Sequence, residues 1–305
     1  MACSCTTGLG NLGIPNCLPM NEIPVGFLFQ KTYNSAGVRN SLDGASIGNA
    51  SYLQDLCFNA DENIRLFPLQ DVDALVGARG DDKTFEETGG LIHFLKEGEK
   101  GYVGEKLVNA TPKLLGKLNS MKCNDMSVYI IGHEGGLFGE TTVEGTLYGY
   151  EMVSSTVSFK WVDMINEKPA FIMVNFMLAD TVKDENIMKF DGAEIGDNAK
   201  RLKGIQDANG TASAISITGF TVVLKKEYGT AKTLLPLTGL VLADFLLTET
   251  SPTPGVTTIT SSTETPDGTF AMLATTTAAD VNVLTLSATG LAKGYFLNPV
   301  TITTP

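Results

Sequence analysis

Residues 256–274 read VTTITSSTETPDGTFAMLA. β-Branched Val, Thr and Ile crowd the first half of this stretch. Such side chains fit a pleated strand and lose rotamer freedom in a helix. Pro266-Asp267-Gly268 after them has turn chemistry: Pro fixes φ, and Gly accepts a positive φ. The stretch therefore predicts a strand over Val256–Thr260, a turn, and a strand over Thr269–Ala274. Val281–Ser287 and Pro299–Thr303 repeat the pattern, with Val300 and Ile302 alternating with Thr301 and Thr303. Short strands at this spacing predict a small β-sandwich. Residues 233–305 hold no Cys and no Trp, so no disulfide holds it together.

Composition changes where this series begins. From Thr233 to Pro305 there are 19 Thr and five acids, but one Lys (Lys293) and no Arg. The boundary is expected within Tyr228–Thr233. Three segments follow: an arm at 1–22, a β-rich domain at 23–232 and the Thr-rich module at 233–305. The arm carries Gly8, Gly10, Gly13, Pro15 and Pro19 without a steady period, as expected of irregular chain.

The middle segment reads mainly as strands. Val25–Thr32 is the first, and Ala36–Ala50 is a turn-rich loop. Ile64–Leu69 contains Pro68 and suits a sheet edge. Gly89-Gly90 inside Lys83–Lys96 predicts a hairpin. Thr141–Ser154 and Val157–Val162 read as neighbouring strands. In the second, Val157, Phe159 and Trp161 alternate with Ser158 and Lys160, so one face is buried and one wet. Phe171–Leu178 is more continuously apolar, as in a strand covered on both faces. The apolar set changes parity between Ile215/Ile217 and Phe220/Val222/Leu224, which predicts a β-bulge at Gly219. One helix is signalled strongly. Thr111 can cap it, Pro112 takes its first position, and Leu114, Leu118 and Met121 share a face.

A net charge of −12 over 305 residues excludes a basic nucleic-acid-binding domain, because phosphate recognition needs clustered Lys and Arg. Five Cys at irregular spacings (Cys3, Cys5, Cys17, Cys57, Cys123) do not make a disulfide framework. The first residues lack the charged and apolar regions of a signal peptide. The longest apolar run, Ala170–Ala179, is about half of what a membrane span needs. These features predict a soluble chain made in a reducing cytoplasm.

The motifs have bland readings. Gly8-Leu9-Gly10-Asn11-Leu12-Gly13 matches the dinucleotide fingerprint, but a strand must precede it and a helix must follow. Only seven residues precede it, and Pro15 and Pro19 follow. Cys3, Cys5 and Cys17 lack the paired spacing of a zinc site. Arg79-Gly80-Asp81 spells an adhesion tripeptide but reads as a polar turn. His93 and His133 are the only imidazoles, and neither stands in a catalytic motif. Asp71/Asp73 and Asp81/Asp82 lack the pattern of a calcium loop. Asn49, Asn109 and Asn209 begin glycosylation triplets that carry no weight without a secretory signal. The expectation is no catalytic residue, no cofactor and no metal: not an enzyme.

Leu240-Val241-Leu242-Ala243-Asp244-Phe245, Val256-Thr257-Thr258-Ile259-Thr260 and Pro266-Asp267-Gly268-Thr269-Phe270 resemble immunoglobulin-like modules appended to phage virion proteins. With a β-rich domain and one amphipathic helix before it, the chain resembles a major tail tube protein of a tailed bacteriophage. The resemblance implies a tube-type β-sandwich or barrel with a flanking helix and a small immunoglobulin-like sandwich. It also implies homohexameric rings stacked into a tube, inner strands joined into a continuous barrel, contacts with other tail proteins, and passage of DNA without specific binding. Its place would be the virion, after synthesis in the host cytoplasm. The arm 1–22 and the loop 36–60 become candidates for contacts between rings. Alternatives are another virion component (a capsid decoration or baseplate protein) and a surface carbohydrate-binding protein. For a glycan, the module offers only Phe245, Phe270, Tyr295 and Phe296.

Overall fold

The computed structural model describes residues 22–88, 92–96, 98–141, 143–164, 169–229, 234–251, 255–277 and 279–305. Strands take 49% of the described residues and helices 12%, so the fold is mainly β, as expected. Contacts group the chain into two compact units, Met1–Leu53 with Leu66–Leu202 and Gln54–Arg65 with Lys203–Pro305. The expected arm lies outside the described residues except for Glu22.

The first unit is organised around the strand Pro24–Lys31. It is antiparallel to Met126–Gly132 on one side and to Phe67–Leu69 on the other. The sheet continues from Met126–Gly132 through Leu137–Glu140 to Ile187–Phe190. Phe67–Leu69 is the sheet's edge, the place its Pro68 predicts. A second, four-stranded sheet runs in the order Ser158–Val162, Phe171–Met177, Lys100–Lys106, Val72–Arg79, antiparallel throughout.

Aromatic rings join these two sheets. Phe176 lies 5.1 Å from Phe27 and 6.0 Å from Phe29, and Phe159 lies 6.3 Å from Phe29, all near edge-to-face. Such pairs add about 0.5–1.5 kcal/mol beyond their burial. The helix Pro112–Ser120 closes the core. Thr111 Oγ1 accepts the Leu114 N–H at 3.1 Å, Leu118 is buried, and Leu114, Leu115 and Met121 pack on the same cluster. On the other face of Pro24–Lys31, Leu28 is fully buried. So are Tyr129 and Ile131 on its neighbour, and the Tyr129 hydroxyl donates to Gln30 Oε1 at 3.2 Å.

Four local expectations need correction. Val256–Thr260 is not one strand: Gly255–Thr257 and Ile259–Thr265 are separate and belong to different sheets. Phe171–Met177 is not covered on both faces. Ile172, Val174 and Phe176 are buried while Met173, Asn175 and Met177 are half-exposed, because only one side of its sheet meets the core. Thr141–Ser154 is not one strand. It contributes the short pieces Thr146–Leu147 and Tyr150–Glu151, and Ser158–Val162 pairs with Phe171–Met177 instead. Gly219 is not a bulge. Gln206–Ser216 and Gly219–Gly229 form a hairpin in which Ser216 pairs with Gly219, so the parity changes because the chain turns back at Ile217-Thr218. The irregularity lies between Ser213 and Ser216, where Ala214 takes φ +50°.

That hairpin moves the division of the chain. The second unit holds a sheet ordered Ile259–Thr265, Thr269–Ala274, Gly219–Gly229, Gln206–Ser216, Tyr295–Leu297. Its partner sheet is ordered Gly255–Thr257, Phe245–Ser251, Val281–Leu286, Val300–Thr303. Phe270 of one meets Phe245 of the other at 5.3 Å, and Val222, Leu224, Leu247, Leu284 and Ile302 fill the same core. The contact division at Leu202/Lys203 therefore precedes the compositional break by a whole hairpin. The turn at 266–268 is as expected. Gly268 has φ +78°, and Asp267 Oδ1 accepts the Thr269 N–H at 3.1 Å.

Two outcomes follow from this packing. A fragment covering 203–305 should unfold cooperatively in circular dichroism, whereas 233–305, which lacks the two central strands of one sheet, should show no cooperative transition. Phe176→Ala, at the centre of the aromatic cluster, should cost about 3–5 kcal/mol in denaturant unfolding.

Candidate functional site: an open sheet and a projecting hairpin

Val72–Arg79 and Lys100–Lys106 escaped the sequence reading. Gly77, Gly101 and Gly104 interrupt their apolar pattern, and a register shift between Asp73 and Val76 breaks the alternation. Two of the glycines serve close approach: a Cβ on Gly101 would lie 2.6 Å from Phe176 O, and one on Gly104 2.6 Å from Val72 Cγ1. The two strands begin one long hairpin. Beyond the Arg79–Lys100 pair, Gly80 N–H donates to Glu99 O at 2.7 Å. Lys83–Glu86 then pairs with Ile92–Lys96, the hairpin that Gly89-Gly90 predicts.

The distal part has no third strand among the described residues. Lys83, Thr84, Phe85 and Glu86 are all exposed, Phe85 by 54%. A two-stranded ribbon is marginal in water by itself. Its base is clipped by Asp184, which meets Arg79 Nη1 at 2.8 Å with one oxygen and Lys100 Nζ at 2.7 Å with the other. Asp184 is itself anchored by its neighbours. Val182 is in the core, and Lys183 N–H donates to the buried Glu140 at 3.3 Å. Glu140 in turn binds Arg39 at 2.8 Å. The hydrogen bond from Lys100, with that from Arg79, holds the Asp184 carboxyl below the usual carboxylate range against slight desolvation.

The four-stranded sheet that carries this hairpin is open in two ways. Val72–Arg79 and Ser158–Val162 each pair on one side only among the described residues. Its face away from the core shows Val76 (60% exposed) and Val103, with Met173, Asn175 and Met177 half-exposed. The register places Asp73, Glu105, Met173 and Lys160 in one row across that face.

The motifs fall as follows. Residues 1–21, with the Gly8–Gly13 match and Cys3, Cys5 and Cys17, lie outside the described residues. Glu22 is held, its carboxylate accepting the Glu134 N–H at 3.1 Å and meeting Lys189 Nζ at 3.1 Å. Arg79-Gly80-Asp81 is not a free turn: Arg79 is bound to Asp184 and Gly80 is paired in the hairpin. His93 lies on the ribbon opposite Phe85, and His133 is exposed. No group of three or more His, Cys, Asp or Glu fit to hold a metal ion occurs among the described residues. Phe245 and Phe270 are core residues, so they offer no platform to a sugar. Tyr295 packs partly on that core while Phe296 is exposed. The loop 36–60 is largely committed to folding, since Leu42, Ile47, Leu53 and Cys57 are buried and Tyr52–Cys57 is helical.

No protein-family model matches the chain, and no curated protein matches it in sequence. No helix among the described residues is long and apolar enough to cross a membrane.

The clip sets a pH dependence. The folded pKa of Asp184 lies below its ordinary value of 3.8. Its contribution is therefore complete above that value and is lost as pH falls through the folded pKa. Because the pair is partly exposed, Asp184→Asn should cost less than about 1 kcal/mol near neutral pH. In thermal melts it should also remove part of the stability loss seen on acidification.

Proposed function

We propose that the chain is a structural virion protein, the subunit of a bacteriophage tail tube, and not an enzyme. It would assemble with copies of itself into hexameric rings stacked around a channel for DNA. The observation that carries this reading is the four-stranded sheet whose outer strand Val72–Arg79 pairs on one side only among the described residues. Such a sheet is completed when copies stand side by side, each edge beside the opposite edge of the next. The exposed hairpin supports the same reading, because an extended ribbon with an exposed Phe85 gains order and burial by docking on a neighbour.

The charge fits a conduit. A net charge of −12 repels a DNA backbone rather than binding it, so DNA passes without adhering. The role asks for no cofactor and no catalytic group.

Negative-stain electron microscopy of the purified full chain, with light scattering, tests the proposal. Six-fold rings or tubes are the expected outcome. A strictly monomeric particle at high concentration, or a stoichiometric bound cofactor with turnover, would overturn it.

A further inference from the structure

The turn from Met126–Gly132 into Leu137–Glu140 closes on itself, with Gly132 N–H donating to Gly136 O at 2.8 Å. Its two end glycines leave a hollow. A Cβ on Gly132 would fall on Glu22 Oε2, and one on Gly136 would lie 2.6 Å from Glu22 Oε1. The Glu22 side chain fills this hollow. Its Oε2 accepts the Glu134 N–H at 3.1 Å, and its Oε1 meets Lys189 Nζ at 3.1 Å. The two side chains are 4% and 8% exposed. Lys189 reaches the hollow from Ile187–Phe190, the strand paired with Leu137–Glu140. Desolvation works against its ammonium, yet the hydrogen bond and charge of Glu22, with Asp191 at 3.5 Å, hold its pKa above the ordinary 10.5. Lys189 thus has a second carboxylate beside it, whereas Glu22 meets no second cation among the described residues.

Little else holds the chain at this point. Ile23 is 72% exposed, and its carbonyl accepts the His133 N–H at 2.8 Å. Pro24 stands opposite Gly132, and the register shifts between Pro24 and Gly26. Proline has no N–H to give to the ladder. Residues 22 and 23 are therefore held chiefly through the Glu22 carboxylate and the Ile23 carbonyl. Weakly attached ends of this kind open without unfolding the rest.

We infer that Glu22 and Lys189 form a latch. Closed, it lays the chain before Pro24 on the glycine turn and fixes the point from which residues 1–21 depart. Open, it frees that stretch while the strand from Gly26 onward stays paired. A buried carboxylate that loses its cation is costly, whereas the same carboxylate in water is not. The ion pair, rather than the single backbone bond, therefore decides between the two states. The competing account makes the pair one more structural contact, whose loss weakens the whole unit. The latch goes beyond the tube reading and does not depend on it.

Hydrogen exchange on the full chain, read residue by residue, separates the two accounts. The His133 and Glu134 amides donate to Ile23 and Glu22 and report closure, while the Gly132 amide donates within the turn and serves as the control. Lys189→Met should speed exchange at His133 and Glu134 about a hundredfold, with Gly132 and the thermal midpoint little changed. It should also open the Glu22–Ile23 bond to a glutamate-specific protease. Adding Glu22→Gln keeps an oxygen for the Glu134 N–H and removes the orphaned charge, so the double variant should return most of the way to the parent in exchange. Unchanged exchange at His133 and Glu134 in Lys189→Met would overturn the latch. So would exchange raised equally at Gly132 with a falling midpoint, or a double variant no better protected than the single.

Discussion

Everything in the first unit depends on one constraint: Phe27 and Phe29 must stay against Phe176 and Phe159. These four rings are each almost fully buried, and burying a side chain of this size is worth about 1.5–3 kcal/mol. They join the two sheets face to face, so the contact fixes which face of each sheet is inside. Pro24–Lys31 is then covered on both faces, and its sheet becomes the rigid body of the unit. The four-stranded sheet gives only one face to this contact. Its other face is left over as a consequence of the same packing. The surface proposed for assembly is thus the reverse side of the core.

Rigidity passes from that core to the hairpin through a few polar contacts. Val182 is packed in the core, the neighbouring Asp184 holds Arg79 and Lys100 together, and the ribbon leaves the sheet just beyond. Partly exposed ion pairs contribute little to global stability. Their place here is geometric, since Lys83–Glu86 of the ribbon is exposed along its whole length. A weak clip at the base of a marginal ribbon holds an orientation without adding a rigid core.

The legible parts of the fold were those with local causes. Thr111 and Pro112 mark the start of the helix because a cap and a proline act within one turn. Pro266-Asp267-Gly268 marks its turn for the same reason. Pro68 marks an edge because it removes a donor from the ladder. The misread parts depend on distant pairing. A parity change at Gly219 follows equally from a bulge or from a reversal, and Ile217-Thr218 has none of the Gly or Asn that usually announce a two-residue turn. The Thr-rich composition after 233 reports strand preference, not contact. Gln206–Gly229 carries Lys225, Lys226 and Glu227 and so looks like the preceding chain while folding with the following one. The open edges were illegible altogether, because nothing local says which strand stands last in a sheet.

Edges of this kind are a hazard as well as an opportunity. An unpaired strand accepts almost any extended chain, and backbone hydrogen bonds do not discriminate between partners. Selectivity must then come from side chains at the edge and from interruptions in its backbone. Both are present on Val72–Arg79: the register shift after Asp73 breaks the run of backbone donors and acceptors, and Asp73 with Glu105 puts negative charge at the break.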